Sequence, residues 1–350
     1  MSVQTQTLRA GYQISRVIRG GWQLAGGHGP VDAATQIEDM IAFADAGITT
    51  FDCADIYTGV EEMIGAFRTE YANRRGVDAL ARIKVHTKLV PDLEALATVT
   101  RDYVRGIVDT SLTRLRMERL DLVQFHWWDY AVPRYVEAIG WLDELRREGK
   151  VRQVGGTNFD TARTLEIIRS GVPLMSMQVQ YSLLDARAER LLVPAALAND
   201  MAIFCYGSVA GGFLGDRWLG QTEPQHPLEN RSLTKYKLII DDFGGWDLFQ
   251  TLLQTLRRVA DRHGTDIATV ASAAMLNCVG VAAVIVGARN RSHLAQNLQI
   301  ANLALTAADK AEIAAILAQG TTPEGDTFAL ERDRKGRHGN IMKYNLNKAS

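Results

Sequence analysis

Two hydrophobic periods alternate along the chain. Short runs of period two, or of continuous apolar character, mark strands; runs with apolar positions three or four apart mark helices. The segment TLRAGYQISRVI predicts a hairpin turning at Ala10-Gly11. Eight strands follow, over Val17–Trp22, Thr49–Ala54, Ile83–Leu89, Leu120–Trp127, Val151–Asn158, Leu174–Val179, Ala202–Tyr206 and Val281–Val286. Helices fall between them, over Asp32–Gly47, Glu61–Tyr71, Arg101–Arg116, Tyr135–Glu148, Thr161–Ser170, Ala188–Asn199 and Leu248–His263. In the first, Ile37, Met40, Ile41 and Ala44 share a face and Gly47 supplies the stop. Asp266–Asn277 is an extra helix before the eighth strand; Ser292–Leu298 and Ala307–Ala318 follow it.

Eight strand–helix alternations predict an α/β fold, a (β/α)8 TIM barrel with an N-terminal β-hairpin, a long loop after strand seven and a C-terminal tail. A doubly wound sheet would carry GxGxxG after its first strand, and GGWQLAGGHG at that position lacks it. No Pro-, Gly- or Ser-rich linker divides the chain. One domain is expected over residues 1–350, with the core over about 8–319 and a tail over 320–350. The stretch Gly207–Asp247 is longer than an ordinary connection, and its aromatics Phe213, Trp218, Tyr236, Phe243 and Trp246 favour a lid over the barrel mouth. The tail carries fewer apolar anchors and fits either a lid or disorder.

Composition narrows the function. The chain of 350 residues is 47% hydrophobic with a net charge of -1, so it can bury a large core and offers no basic surface for nucleic acid as a partner. No run approaches the roughly 18 apolar residues of a membrane span, and the first residues lack a signal-peptide pattern, so no membrane partner is expected and the chain is placed in the cytoplasm. Cys53, Cys205 and Cys278 form no CxxC pair, and no His, Asp or Glu cluster has metal spacing, so no metal is expected. His28, His226, His263 and His338 fall in loops or at helix ends and read as solvated, as does the basic run Arg332, Arg334, Lys335 and Arg337.

The chemistry lies at strand ends. Asp52 and Tyr57 end one strand and its loop in FDCADIY, Lys88 ends the next in VHTKL, and His126 ends the third in VQFHWW. Parallel strands in a barrel bring all four to its C-terminal mouth. A tyrosine of ordinary pKa near 10 is a poor acid at neutral pH; a neighbouring Lys⁺ favours the phenolate, and an aspartate holds the lysine. Histidine can then donate a hydrogen bond to the substrate oxygen. His86 shares a face with Lys88 and fits either a partner to it or a satisfied core histidine. Trp22 and Trp127 follow strands at the same end and are expected, with Tyr57 and His126, to wall the substrate pocket. Trp128 and Tyr130 fit wall and packing equally.

These segments resemble the aldo-keto reductase superfamily. The resemblance runs from about Leu8 to Leu298 on GITTFDCADIYTGVEEMIG, VHTKL and LDLVQFHWWD, with all four catalytic positions filled. It implies Tyr57 as general acid, Lys88 and Asp52 as its tuning pair, and His126 orienting the carbonyl. It implies hydride transfer between NADPH and an aldehyde, ketone or sugar, with NADH as the lesser cofactor. VGGTNF and QVQYSL imply that Thr157, Asn158 and Gln178 hold the carboxamide, and Tyr206 the stacking ring. VAGG implies a pyrophosphate loop with Gly207, Val209 and Gly211. VIVGARNRSHLAQNL implies an adenosine-phosphate segment with Gly287, Arg289, His293, Gln296 and Asn297. Gly21, Trp22 and Asp52 complete the implied cofactor contacts. Thr157 stands for the family's usual Ser, Gly207-Ser208 for Ser-Pro, His293 for an Arg and Gln296 for a Glu. A sugar or alcohol dehydrogenase, or a cofactor-sensing regulatory subunit, are the alternatives; the oligomeric state is open.

Overall fold

The computed structural model describes residues 3–26 and 28–347. Strands β1 (Thr5–Leu8) and β2 (Tyr12–Ser15) pair antiparallel as the expected hairpin. Eight parallel strands then close a barrel: β3 (Val17–Gly20), β4 (Thr50–Asp52), β5 (Lys84–Leu89), β6 (Leu120–Phe125), β7 (Val151–Thr157), β8 (Leu174–Gln180), β9 (Ala202–Tyr206) and β10 (Val281–Gly287). They run in chain order, and β10 pairs with β3 to seal the ring. Around it lie α1 (Ala33–Asp45), α2 (Val60–Arg75), α3 (Val77–Leu80), α4 (Arg101–Leu115), α5 (Tyr135–Arg147), α6 (Thr161–Arg169), α7 (Arg187–Arg190) and α8 (Leu192–Ala198). Next come α9 (Arg231–Phe243), α10 (Gly245–His263), α11 (Ile267–Leu276), α12 (Leu294–Ile300), α13 (Ala307–Leu317) and α14 (Ala329–Arg332).

Several helices begin where a short polar side chain satisfies a free amide. Asp32, Thr100, Asp160, Asn230 and Asp266 each accept from the third residue of the following turn. Thr306 and Asp309 form a reciprocal capping box on α13. Helix contacts are equally specific: a Cβ on Gly65 of α2 would run into the Arg114 carbonyl of α4, so only glycine allows the two helices to lie this close.

Several elements differ from expectation. The first barrel strand stops at Gly20, and Trp22–Leu24 turn into a short 3₁₀ segment. The helix expected over 188–199 is split at Leu191, where Pro194 has no amide to continue the first turn. The long connection after β9 contains a full helix, α9. Its aromatics do not form a lid: Phe213, Tyr236, Phe243 and Trp246, with Trp218 against them, build a second apolar core beneath α9 and α10. The amphipathic stretch finds a better partner in α10 than in the open mouth. The tail forms α14 and crosses the mouth, while residues 348–350 lie outside the described residues.

The main core fills the layer between barrel and helices. A separate cluster, with Tyr12, Ile14, Ile18, Leu122, Met175 and Phe204, fills the barrel beneath the site, where the hairpin closes its floor. His86 stacks on Phe204 there and meets the Tyr12 hydroxyl at 3.1 Å. Burial, with Lys88 and Lys84 nearby, pushes its pKa down to about 3. Of the two fits open for His86, the structure places it as a satisfied core histidine on the Nε2 side.

Candidate active site

Strand register brings the polar residues together. Asp52 on β4 pairs with His86 on β5, and Lys88 on β5 pairs with Gln124 on β6. Lys88, two residues beyond His86 on the same face, thus reaches Asp52. Its ammonium donates to Asp52 Oδ2 at 2.7 Å and to the Cys53 carbonyl at 2.8 Å. Asp52 Oδ1 accepts from Gln178 Nε2 at 2.6 Å and from Gln124 Nε2 at 3.3 Å. Burial works against the Lys88 charge, but Asp52 holds its pKa above the ordinary lysine value. The ammonium stands 4.9 Å from the Tyr57 ring centre, and Trp22 packs edge-on against the same ring at 5.2 Å. Burial raises the Tyr57 phenol above its ordinary value, and Lys88 offsets this only in part. The net depression expected from the lysine is therefore absent, because desolvation outweighs the charge in this closed site.

His126 lies 3.0 Å through Nδ1 from the Thr157 carbonyl. Burial and the Arg332 charge push its pKa down to about 3, so the ring is neutral at pH 7. A carbonyl only accepts, so Nδ1 carries the hydrogen and Nε2 presents a lone pair. That Nε2 is buried and has no protein partner. The expected donor to a substrate oxygen is thus an acceptor in this tautomer. Trp128 meets the His126 ring at 4.3 Å and Phe328 meets it at 5.7 Å. Trp127 faces the other way: fully buried on Phe125, it donates to the Asp129 and Val132 carbonyls. Side chains alternate along a strand, so the residue after an inward histidine points outward.

The candidate cofactor residues lie toward the carboxyl ends of β7, β8, β9 and β10 and in the segments after β3, β9 and β10. Gly21 donates its amide to the Asp52 carbonyl at 2.7 Å, and a Cβ there would stand 2.8 Å from that oxygen. Asn158, at φ +62°, accepts from the Tyr206 hydroxyl at 2.9 Å through Oδ1. Thr157 and Gln178 are buried beside it on paired positions of β7 and β8. Gly207 and Gly211 need their missing side chains for a reason other than a phosphate loop: Tyr236 packs into both positions. Half-buried Val209 lies between them. Further round, the Arg289 guanidinium lies over Gly29 and reaches the Pro30 carbonyl at 3.5 Å, with no carboxylate paired to it among the described residues. Gly287 and His293 are exposed nearby. Gln296 Oε1 and Asn297 Nδ2 are buried without a protein partner, one free to accept and the other to donate. The residues present therefore fit an extended dinucleotide.

Residues of the tail also reach this end of the barrel, with no local pattern to mark them. Arg332, expected on the surface, donates to the Trp128 carbonyl at 2.8 Å, to the Asn158 carbonyl at 2.7 Å and to the Trp127 carbonyl, with Tyr130 stacked at 3.9 Å. Its neighbour Glu331 is fully buried and pairs with Arg187 at 3.0 Å, which in turn pairs with Asp185 at 2.7 Å. His338 is likewise buried, 2.7 Å from Asp242. Charge identity alone marks none of these as interior. Among the described residues no group of three or more His, Cys, Asp or Glu side chains is placed to hold a metal, and no helix is long and apolar enough to cross a membrane.

Comparison with known proteins agrees with this geometry. The family model described as the aldo/keto reductase family matches residues 16–318. An aldo-keto reductase of Bacillus subtilis is 27% identical over 335 residues, covering 95% of this chain and 98% of its own. An uncharacterized oxidoreductase of Mycobacterium tuberculosis is 30% identical, covering 84% of this chain and 87% of its own. An NADH-specific methylglyoxal reductase of Escherichia coli is 24% identical, covering 85% and 92%. Among solved structures, a glycerol dehydrogenase of Gluconobacter oxydans superposes with a TM-score of 0.74 at 24% identity, covering 93% of this chain and 97% of that one.

Proposed function

The chain belongs to the aldo/keto reductase family, and on that premise we propose that it is an NADPH-dependent reductase of aldehydes, ketones or sugars. The observation that carries this reading is the buried Asp52–Lys88 pair beneath the Tyr57 ring. A bound nicotinamide supplies hydride to the carbonyl carbon. Tyr57, kept protonated by burial, gives its proton to the oxygen as charge develops there. Lys88 stabilises the phenolate left behind, and Asp52, braced by Gln124 and Gln178, keeps the ammonium in place. His126 presents an Nε2 lone pair, which accepts from the hydroxyl of the alcohol formed once the carbonyl is reduced.

In this reading Thr157, Asn158 and Gln178 hold the carboxamide and Tyr206 stacks on the ring. Gly207, Val209 and Gly211 flank the pyrophosphate, and Gly21, Trp22 and Asp52 complete the cofactor contacts. Gly287, Arg289, His293, Gln296 and Asn297 take the adenosine end. The unpaired Arg289 favours a 2′-phosphate, and hence NADPH over NADH. Trp22, Trp128 and Phe328 wall the substrate. We place the protein in the cytoplasm, in keeping with three free cysteines.

A test compares Tyr57→Phe with the parent, following cofactor oxidation on a panel of aldehydes, ketones and sugars with NADPH and NADH. The rate should fall by about a hundredfold or more while NADPH affinity stays within about twofold. Affinity lost in proportion to rate would remove Tyr57 from the proton-transfer role. The acceptor tautomer of His126 favours a second reading, oxidation of an alcohol or polyol with NADP⁺, because an alcohol offers the hydrogen that Nε2 lacks. Turnover of polyols with NADP⁺ faster than turnover of carbonyls with NADPH would select it.

A further inference from the structure

We propose that the floor of the barrel, at the end opposite the candidate active site, binds a compact oligoanion carrying two or more phosphate or carboxylate groups. A cavity of about 840 Å³ opens there between the N-terminal hairpin and the starts of β5 and β7. Its lining includes five cations, Arg75, Arg82, Lys84, Arg119 and Arg152, against one carboxylate, Asp45. Arg75 already engages Asp45 through two hydrogen bonds, at 3.0 and 2.7 Å. The other four have no carboxylate partner among the described residues. Asp121 lies deeper, buried and accepting the Val85 amide at 3.0 Å.

Helix ends do not account for this charge. The carboxyl ends of α1 and α2 reach the cavity, and each contributes about half a negative charge. With Asp45 and Asp121 that still leaves the cations in excess, in a chain whose net charge is -1. The excess is felt locally. Burial lowers the Lys84 pKa, and Arg152 and Arg68 lower it further against the pull of Asp121. A multivalent anion would relieve that repulsion, and the arginine forks suit phosphate or carboxylate oxygens. Lys84 and Lys88 are four residues apart on one strand, which separates them by about 13 Å. A ligand on the floor therefore leaves the cofactor rim free.

The test is titration calorimetry of inorganic tripolyphosphate into NADPH-saturated protein, with citrate and ATP as parallel ligands to tell phosphate, carboxylate and nucleotide chemistry apart. Arg82→Gln/Arg119→Gln/Arg152→Gln is compared with Arg169→Gln/Arg190→Gln, which removes exposed charge elsewhere. The expected result is saturable one-to-one binding with NADPH present, weakened about tenfold or more by the floor variant and unchanged by the control. Equal weakening in both variants, displacement by NADPH, or no binding up to millimolar ligand would each overturn the proposal. Circular dichroism and NADPH affinity of the floor variant should match the parent, so lost binding reports the site and not the fold.

Discussion

Three side chains converge on Asp52, and each donor limits what the others can do. Lys88 takes one oxygen while Gln124 and Gln178 share the other, so both carboxylate oxygens are engaged in a buried place. Asp52→Asn keeps the shape but leaves the Lys88 charge without its partner. It should lower the unfolding free energy by about 3–5 kcal/mol, read from urea unfolding with NADPH absent. A loss below about 1 kcal/mol would show that the pair is not the buried unit described. His126 makes a second residue-level claim: nitrogen NMR at pH 7 should find its hydrogen on Nδ1. The four strand-end residues were legible because alternation and order place them. The Gln124 brace and the histidine tautomer were not, because both depend on register with a neighbouring strand.

Among the elements, the tail is where sequence reading stopped short. Its run ERDRK looks solvated by composition, and only the meeting of β6, β7 and α7 supplies the carbonyls that accept from Arg332 and the Arg187 guanidinium that pairs with Glu331. All eight barrel strands, by contrast, were legible, although β3, β4 and β6 each end two residues earlier than their apolar runs suggest. Helix α9 was hidden for the opposite reason: its apolar face packs on α10, a partner the local pattern does not name. Arg332→Ala should free the tail from the ends of β6 and β7. Losing its charge-assisted hydrogen bonds costs about 2–4 kcal/mol of tail attachment. Hydrogen exchange over 320–347 should rise and substrate KM should change, while NADPH affinity holds. Unchanged exchange there would separate the tail from this anchor.

For the molecule as a whole, the barrel interior sets the response to acid. His86 and His126 both titrate near 3 in the folded state, against an ordinary value of about 6.5. A depressed folded pKa gives stability that is complete above the unfolded value and lost as pH falls toward the folded one. By pH 4.5 each histidine should have cost about 2–3 kcal/mol. Glu331 acts in the same direction at lower pH: burial opposes its charge, yet Arg187 and Lys235 hold its pKa at about 2. The urea midpoint should therefore lose less between pH 7 and pH 4.5 in His86→Gln than in the parent. Parallel profiles would mean that this ring is not neutral inside the barrel.

The strap formed by residues 328–347 has a consequence for biosynthesis. Tyr344 accepts from the Leu93 amide, and Leu346 and Asn347 donate their amides to Asp92, so the mouth is finished by contacts some 250 residues apart in the chain. The ribosome delivers the barrel and its cofactor rim first and the strap afterwards. A nascent chain can thus complete the barrel while its mouth still stands open.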